Sequence, residues 1–236
     1  MKNLKVIVIA LCAVLVVAGC KTKMGTGALI GTGGGAALGA LVGHFAGNAG
    51  VGAALGAAVG AGAGALIGKH MDKVKAETEA QLAETATVEE VTDANGLKAV
   101  KVTFDSGILF ATSSSSLSSS AKSSLSKFAN NVLKKNASVD VNVYGYTDNQ
   151  GWKNSTAEQS VQKNLNLSQE RAQSVATYLM ACGAASDQIE TVEGLGESNP
   201  VADNSTEAGR EQNRRVEVYL YASQEMIDAA NNGTLQ

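Results

Sequence analysis

Histidine, paired cysteine and clustered basic charge are all scarce in this sequence of 236 residues, and each shortage removes a class of function. The two histidines are His44 and His70, with none beyond. The rest of the chain therefore has no Ser–His or Cys–His nucleophile pair, and no HExxH or cysteine cluster that could take zinc. Three cysteines give no disulfide framework. Cys12 and Cys20 lie near the N-terminus, and Cys182 follows Tyr178 and Leu179 at a helical spacing that suits core packing. The net charge is −3 and no Lys/Arg run occurs, so nucleic acid is not an expected partner. Neither a cofactor nor a metal is expected. Asp105, Asp148, Glu193 and Glu197 could in principle supply a glycosidase-like carboxylate pair, but nothing singles out two of them, and the chain is not read as an enzyme.

Charge is missing altogether from Met24 to Gly68, and there glycine takes over. It recurs every fourth residue from Gly27 to Gly47 and again from Gly52 to Gly68, and the register breaks at Asn48-Ala49-Gly50. The pattern predicts a helical hairpin, each arm about 30 Å long at ~1.5 Å per residue. Flexible glycine linkers are rich in serine, whereas this segment is filled with Ala, Leu, Ile and Val. Small residues four apart form a ridge on which a second helix backbone approaches closely. Alone in water each glycine would cost about 1 kcal/mol of helix stability relative to alanine, so the hairpin needs lipid or a packed partner. Membrane insertion and oligomerisation both satisfy that need.

The first residues form a targeting segment. Lys2 and Lys5 precede an apolar run, Val6 to Val17, that is too short to anchor in a bilayer. Val17-Ala18-Gly19-Cys20 resembles the bacterial lipobox, which implies that Cys20 becomes a lipidated first residue. Lys21 behind it implies sorting to the outer membrane, with the remainder in the periplasm. Several acyl chains hold a protein almost permanently where one binds marginally.

Beyond the glycines, residues 69–86 are polar and helix-prone and read as a stalk. Ala86 to Val91 and Leu97 to Phe104 flank Asn95-Gly96, a hairpin signal. The serine-rich stretch from Thr112 keeps Leu117, Ala121, Leu125, Phe128, Ala129, Val132 and Leu133 at helical spacing, so it predicts a helix with a wet serine face. Strands are expected at 138–146, 188–195 and 215–221, and a second helix at 167–182 stopped by Gly183. Helices of this length between strands require crossovers, giving a mixed sheet with helices on one face: an α+β sandwich. The tail from Ser223 begins with a short helix and then frays.

Opposite charges gather at element ends: Asp148 after a strand, Arg171 at the opening of the second helix, Arg214 and Arg215 at the last strand. On its own this is an ion-pair network fixing loops to the sheet. Three stretches add to it: YGYTDNQG, NLNLSQERAQSVATYLMACG and GLGESNPVADNSTEAGREQNRRVEV. Together they resemble the C-terminal peptidoglycan-binding domain of the OmpA family, and with the lipobox and glycine zipper they resemble lipoproteins of the YiaD type. The resemblance covers residues 97–222 and implies a βαβαββ sandwich; with the readings above, the expected division is signal peptide 1–19, lipidated zipper hairpin 20–68, stalk 69–86, wall-binding domain 87–222 and tail 223–236. It implies that Asp148 receives the ammonium of diaminopimelate in the peptide stem and that Arg171 holds its carboxylate. Asn164 and Arg214 would line the pocket, with Thr147 and Asp105 as further contacts. The implied function is a non-enzymatic tether from outer membrane to peptidoglycan. A second reading makes the zipper the active part, oligomerising or perturbing the membrane, with the wall domain as its holder. The stretch WKNSTAEQSVQK between Gly151 and Asn164 is longer than the family's usual spacing, and reads as a surface loop or as a lid carrying Trp152.

Overall fold

The computed structural model describes residues 59–93 and 95–235. Cys20, the signal segment and the glycine ladder up to residue 58 lie outside them. The first described helix, α1, runs Ala61–Leu82, and strands β1 (Thr87–Thr92) and β2 (Lys98–Asp105) follow. Then come α2 (Ser106–Leu109), α3 (Ser119–Asn131), β3 (Val139–Gly145) and α4 (Ala157–Ala181). The chain continues through β4 (Ile189–Gly194), α5 (Glu207–Asn213), β5 (Arg215–Ala222) and α6 (Gln224–Asn231). From β2 onward the main elements follow the expected βαβαββ order, with α5 inserted before the last strand.

The sheet order is β1-β2-β5-β3-β4. β3 and β4 are parallel, because α4 carries the chain back across the sheet, and the other pairs are antiparallel. Alternation places Val100, Val102 and Phe104, Val139, Val141 and Val143, and Val216, Val218 and Leu220 on one buried face beneath the helices. The β1–β2 connection reverses through Gly96 at φ 77°, while the Asp93 carboxylate accepts from the backbone of Asn95 and Leu97 at 2.8 Å each.

The predicted stalk is not a stalk. Ala63, Ile67, Met71, Val74, Thr78 and Leu82 recur every three or four residues along α1 and are all buried in the domain. Residues 61–68, read from the sequence as the end of a zipper arm, belong to this helix, and Ile67 has no exposed surface. The tail is likewise part of the core: Met226, Ile227 and Ala230 on α6 are buried, and Asn231 accepts from the backbone of Gly60 at 3.0 Å. Each segment was too short, or too polar on average, for its apolar stripe to stand out before the sheet it covers was known.

The opposite sheet face is tyrosine-rich. Tyr144 and Tyr219 meet edge to face at 5.8 Å, Arg215 lies over the Tyr146 ring, and Glu217 pairs with Arg215 at 2.7 Å. At its end stands Asp140, whose pKa is raised from 3.8 to about 7 by burial and by Glu190 and Asp187. The folded value lies above the unfolded one, so folding takes up a proton between about pH 4 and 7, and stability falls as pH rises through that window. Thermal melts of the wild type should therefore drop from pH 5 to pH 8, and Asp140→Asn should flatten that slope. An unchanged slope in the variant would assign the pH dependence elsewhere.

Candidate functional site

The ends of β2, β5 and β3 open into a cavity of about 540 Å³. Thr147, Asp148, Asn164, Arg171 and Arg214 all line it, so five of the six expected site residues come together. Asp105 does not join them. Its carboxylate turns back to cap α2, accepting from the Gly107 backbone at 2.6 Å, and that leaves the neighbouring Ser106 to face the cavity.

Asp148 is placed by backbone pairing that continues past the strand. Tyr146 donates to the Arg215 carbonyl at 2.9 Å, and Thr147 donates to the Gly196 carbonyl at 2.8 Å. The carboxylate then closes a local turn by accepting from Gln150 N at 3.0 Å. Its other oxygen meets Arg214 at 2.6 Å, and Arg214 reaches Glu207 at 3.1 Å with its second nitrogen. Burial alone would lower the Arg214 pKa, but its hydrogen bonds to Asp148 and Glu207 raise it overall. The ion-pair network expected from the sequence is therefore real, and it joins Asp148 to Arg214.

Arg171 stands outside that network. It is 96 % buried by its 4 % exposure, yet it pairs with no carboxylate among the described residues. Its Nε donates to the Ser114 carbonyl at 3.0 Å, and the guanidinium stacks over Phe110 at 5.2 Å. Its pKa is lowered first by burial and then by nearby Arg214, against an opposing pull from Asp148. A guanidinium desolvated without an anion is costly, and this one faces an open cavity.

Arg171 does not open its helix, as the sequence suggested. α4 starts at Ala157, about ten residues early, under a capping box formed by Thr156 and Gln159. The stretch read as a loop or lid is therefore mostly helix, and Trp152 lies in the short turn before it. One face of α4 is buried throughout: Ser160, Asn164, Ser168 and Arg171, then Ala172, Val175, Ala176 and Leu179. Only the second half of that stripe is apolar, so hydrophobic periodicity reveals only the second half of the helix.

Asn164 acts as a brace for the loop. Its carbonyl accepts from the Trp152 indole at 2.7 Å, and its amide donates to the carbonyls of Asp148 at 3.4 Å and Gln150 at 3.2 Å. Trp152 and Lys153 in turn form one wall of the cavity. Two further positioning residues escaped the sequence reading. Ser168 Oγ accepts from Gly196 N at 2.9 Å, and Gln169 Oε1 accepts from Gly194 N at 2.7 Å, tying α4 to the end of β4. Gly194 and Gly196 leave room for that contact: the α4 backbone lies directly against them.

The chain is similar in sequence and fold to several known proteins. Residues 109–214 match the OmpA family and residues 1–72 match the YMGG-like Gly-zipper. The probable lipoprotein YiaD of Escherichia coli is 43% identical over 119 residues, covering 50% of this chain and 47% of that protein. The peptidoglycan-binding protein ArfA of Mycobacterium tuberculosis is 47% identical over 88 residues, 37% of this chain and 24% of that one. The outer-membrane lipoprotein YfiB of Pseudomonas aeruginosa is 38% identical over 118 residues, 50% of this chain and 64% of that one. The matched region thus spans less than two thirds of each of these relatives. A MotB-like protein from Desulfovibrio vulgaris shares the fold at TM-score 0.54 and 22% identity, over 67% of this chain and 94% of that one. The similarity to the OmpA family thus lies at residues 109–214, and that to the YMGG-like Gly-zipper at residues 1–72.

Proposed function

We propose that this protein binds peptidoglycan without cleaving it, through the diaminopimelate of the stem peptide, and that lipid on Cys20 holds it at the outer membrane as a tether. The observation that carries the reading is Arg171, a buried guanidinium that faces the cavity with no carboxylate partner among the described residues. A ligand carboxylate supplies the missing anion, and a planar fork suits it. The ammonium beside that carboxylate goes to Asp148. Its two oxygens offer about four acceptor sites, of which Gln150 N and Arg214 occupy two. Lys153, Arg171 and Arg214 outnumber Asp148 and Glu207 around the cavity, which favours a ligand of net negative charge.

Each charge-assisted bond contributes roughly 1.5–3 kcal/mol, so a few of them give millimolar to micromolar affinity. That is sufficient for a tether. A lipid-held protein beside its wall meets the ligand at high effective concentration, and many copies act together.

Pull-down on isolated sacculi tests the reading. The Asp148→Ala protein is expected to be retained at least about tenfold less than the wild type. Free stem tripeptide should also compete the wild type off. Equal retention of both proteins would place the wall contact outside this cavity.

A further inference from the structure

We infer that the turn at Trp152 and Lys153 is a second subsite of this cavity, in which Lys153 takes the free α-carboxylate of the γ-linked D-glutamyl residue preceding diaminopimelate in the stem. The inference rests on the peptidoglycan reading and deepens it, starting from a lysine that has no task within the protein.

The turn is held from several sides, and its braces come from the first turns of α4. The Trp152 backbone donates to Ser160 Oγ at 3.0 Å and its indole to Asn164 Oδ1 at 2.7 Å. Lys163 Nζ lies 5.7 Å from the centre of the Trp152 ring and donates to Ser155 Oγ at 2.9 Å. The Trp152 carbonyl accepts from Ser155 N at 3.2 Å, which closes a tight turn with Lys153 at its first corner and Asn154 at its second. Asn154 takes φ 58°, a left-handed conformation that asparagine tolerates better than most residues. Ser160 and Lys163 both belong to the stretch that exceeds the family's usual spacing, so a shorter loop would lack these two braces.

Lys153 is the cation of this cavity left without a partner. Arg214 holds Asp148 and Glu207, and Arg171 is the fork for the diaminopimelate carboxylate. Lys153 is exposed, lines the same cavity, and makes no hydrogen bond or ion pair among the described residues. Its ammonium therefore favours a second anion. Helix α4 gives the spacing. Arg171 and Asn164 share its buried face, seven residues and about 10 Å of axis apart, and Trp152 is bonded to Asn164. A second anion at about that distance from the first requires an extended segment about three residues long between them. The diaminopimelate side chain and the amide link behind it have that reach, and the D-glutamyl α-carboxylate is the next anion along the stem. The volume of about 540 Å³ likewise suits a ligand larger than one amino acid.

The test titrates full-length protein in detergent, by calorimetry, with two synthetic tripeptides. One is L-alanyl-γ-D-glutamyl-meso-diaminopimelate, and the other is the same peptide with the D-glutamyl α-carboxylate amidated. Wild type should bind the acid about three- to fivefold more tightly than the amide, the strength of one solvent-exposed ion pair. Lys153→Gln should bind both peptides alike, at the level wild type shows for the amide, and should melt at the wild-type temperature. A wild type that binds both peptides equally overturns the inference and leaves the peptidoglycan reading standing. A Lys153→Gln protein that still prefers the acid also overturns it, because another group then reads that carboxylate. If wild type binds neither peptide, the inference and the peptidoglycan reading fall together.

Discussion

The Arg171→Leu protein is expected to bind peptidoglycan roughly 10- to 150-fold more weakly than the wild type while losing no stability, the loss being that of one charge-assisted pair. The two effects diverge because the guanidinium is desolvated with no carboxylate among the described residues, and both its burial and neighbouring Arg214 disfavour its charge. Replacing an uncompensated buried cation with an apolar side chain of similar bulk is neutral or stabilising, here by about 1 kcal/mol. The variant gives up the bond from Nε to the Ser114 carbonyl but keeps an apolar surface against Phe110. A second arm isolates the ligand's part. Wild-type protein should bind stems whose diaminopimelate carboxylate is amidated as poorly as Arg171→Leu binds the free acid, and amidation should cost the variant nothing more. If wild type held both stems equally, or if the leucine variant lost more than ~2 kcal/mol of stability, Arg171 would be a structural cation.

Gly145→Ala should have the largest effect on the fold. Gly145 and Gly194 are register partners on the parallel strands β3 and β4, and together they form a notch into which α4 drops its backbone. A Cβ on Gly145 would overlap the Ser168 carbonyl, and one on Gly194 would overlap the Gln169 backbone nitrogen, in each case far inside van der Waals contact. Backbone cannot swing aside as a flexible side chain can, so α4 would have to lift from the sheet. We expect about 3 kcal/mol of destabilisation or more in chemical denaturation. Function suffers through the same contact. Asp148 is three residues beyond Gly145, and Arg171 is three residues beyond Ser168, so this notch sets how far apart the two charges stand. A Gly145→Ala protein that remained folded should bind wall poorly even at low temperature. Near wild-type stability would mean that α4 has room to shift, contrary to the packing described.

Sequence and structure agree where a pattern is local. The alternation of Val139, Val141 and Val143 identified β3, the Asn95-Gly96 pair identified the β1–β2 turn, and the helical spacing of Leu125, Phe128 and Ala129 identified α3 despite its serines. The motif residues Thr147, Asp148, Asn164, Arg171 and Arg214 all line one cavity, while Asp105 does not. The early turns of α4 were hidden because their buried face carries serine, asparagine and arginine, which read as surface until the cavity they line is seen. In the sequence α1 and α6 read as a stalk and a tail, because burial of Ile67, Met71 and Met226 depends on strands distant in sequence.

The order of the main strands and helices from β2 onward and the apolar face of the central strands follow from the sequence alone, because each depends on local periodicity. Tertiary structure alone decided how the charges at the sheet end are partnered. Asp148 is joined to Arg214, Arg171 is left without an anion, Asp105 is turned away to cap α2, and Ser106 takes its place at the cavity. Ion pairing depends on distances of a few ångströms between segments far apart in the chain, and these are fixed only when α4 settles onto Gly145 and Gly194.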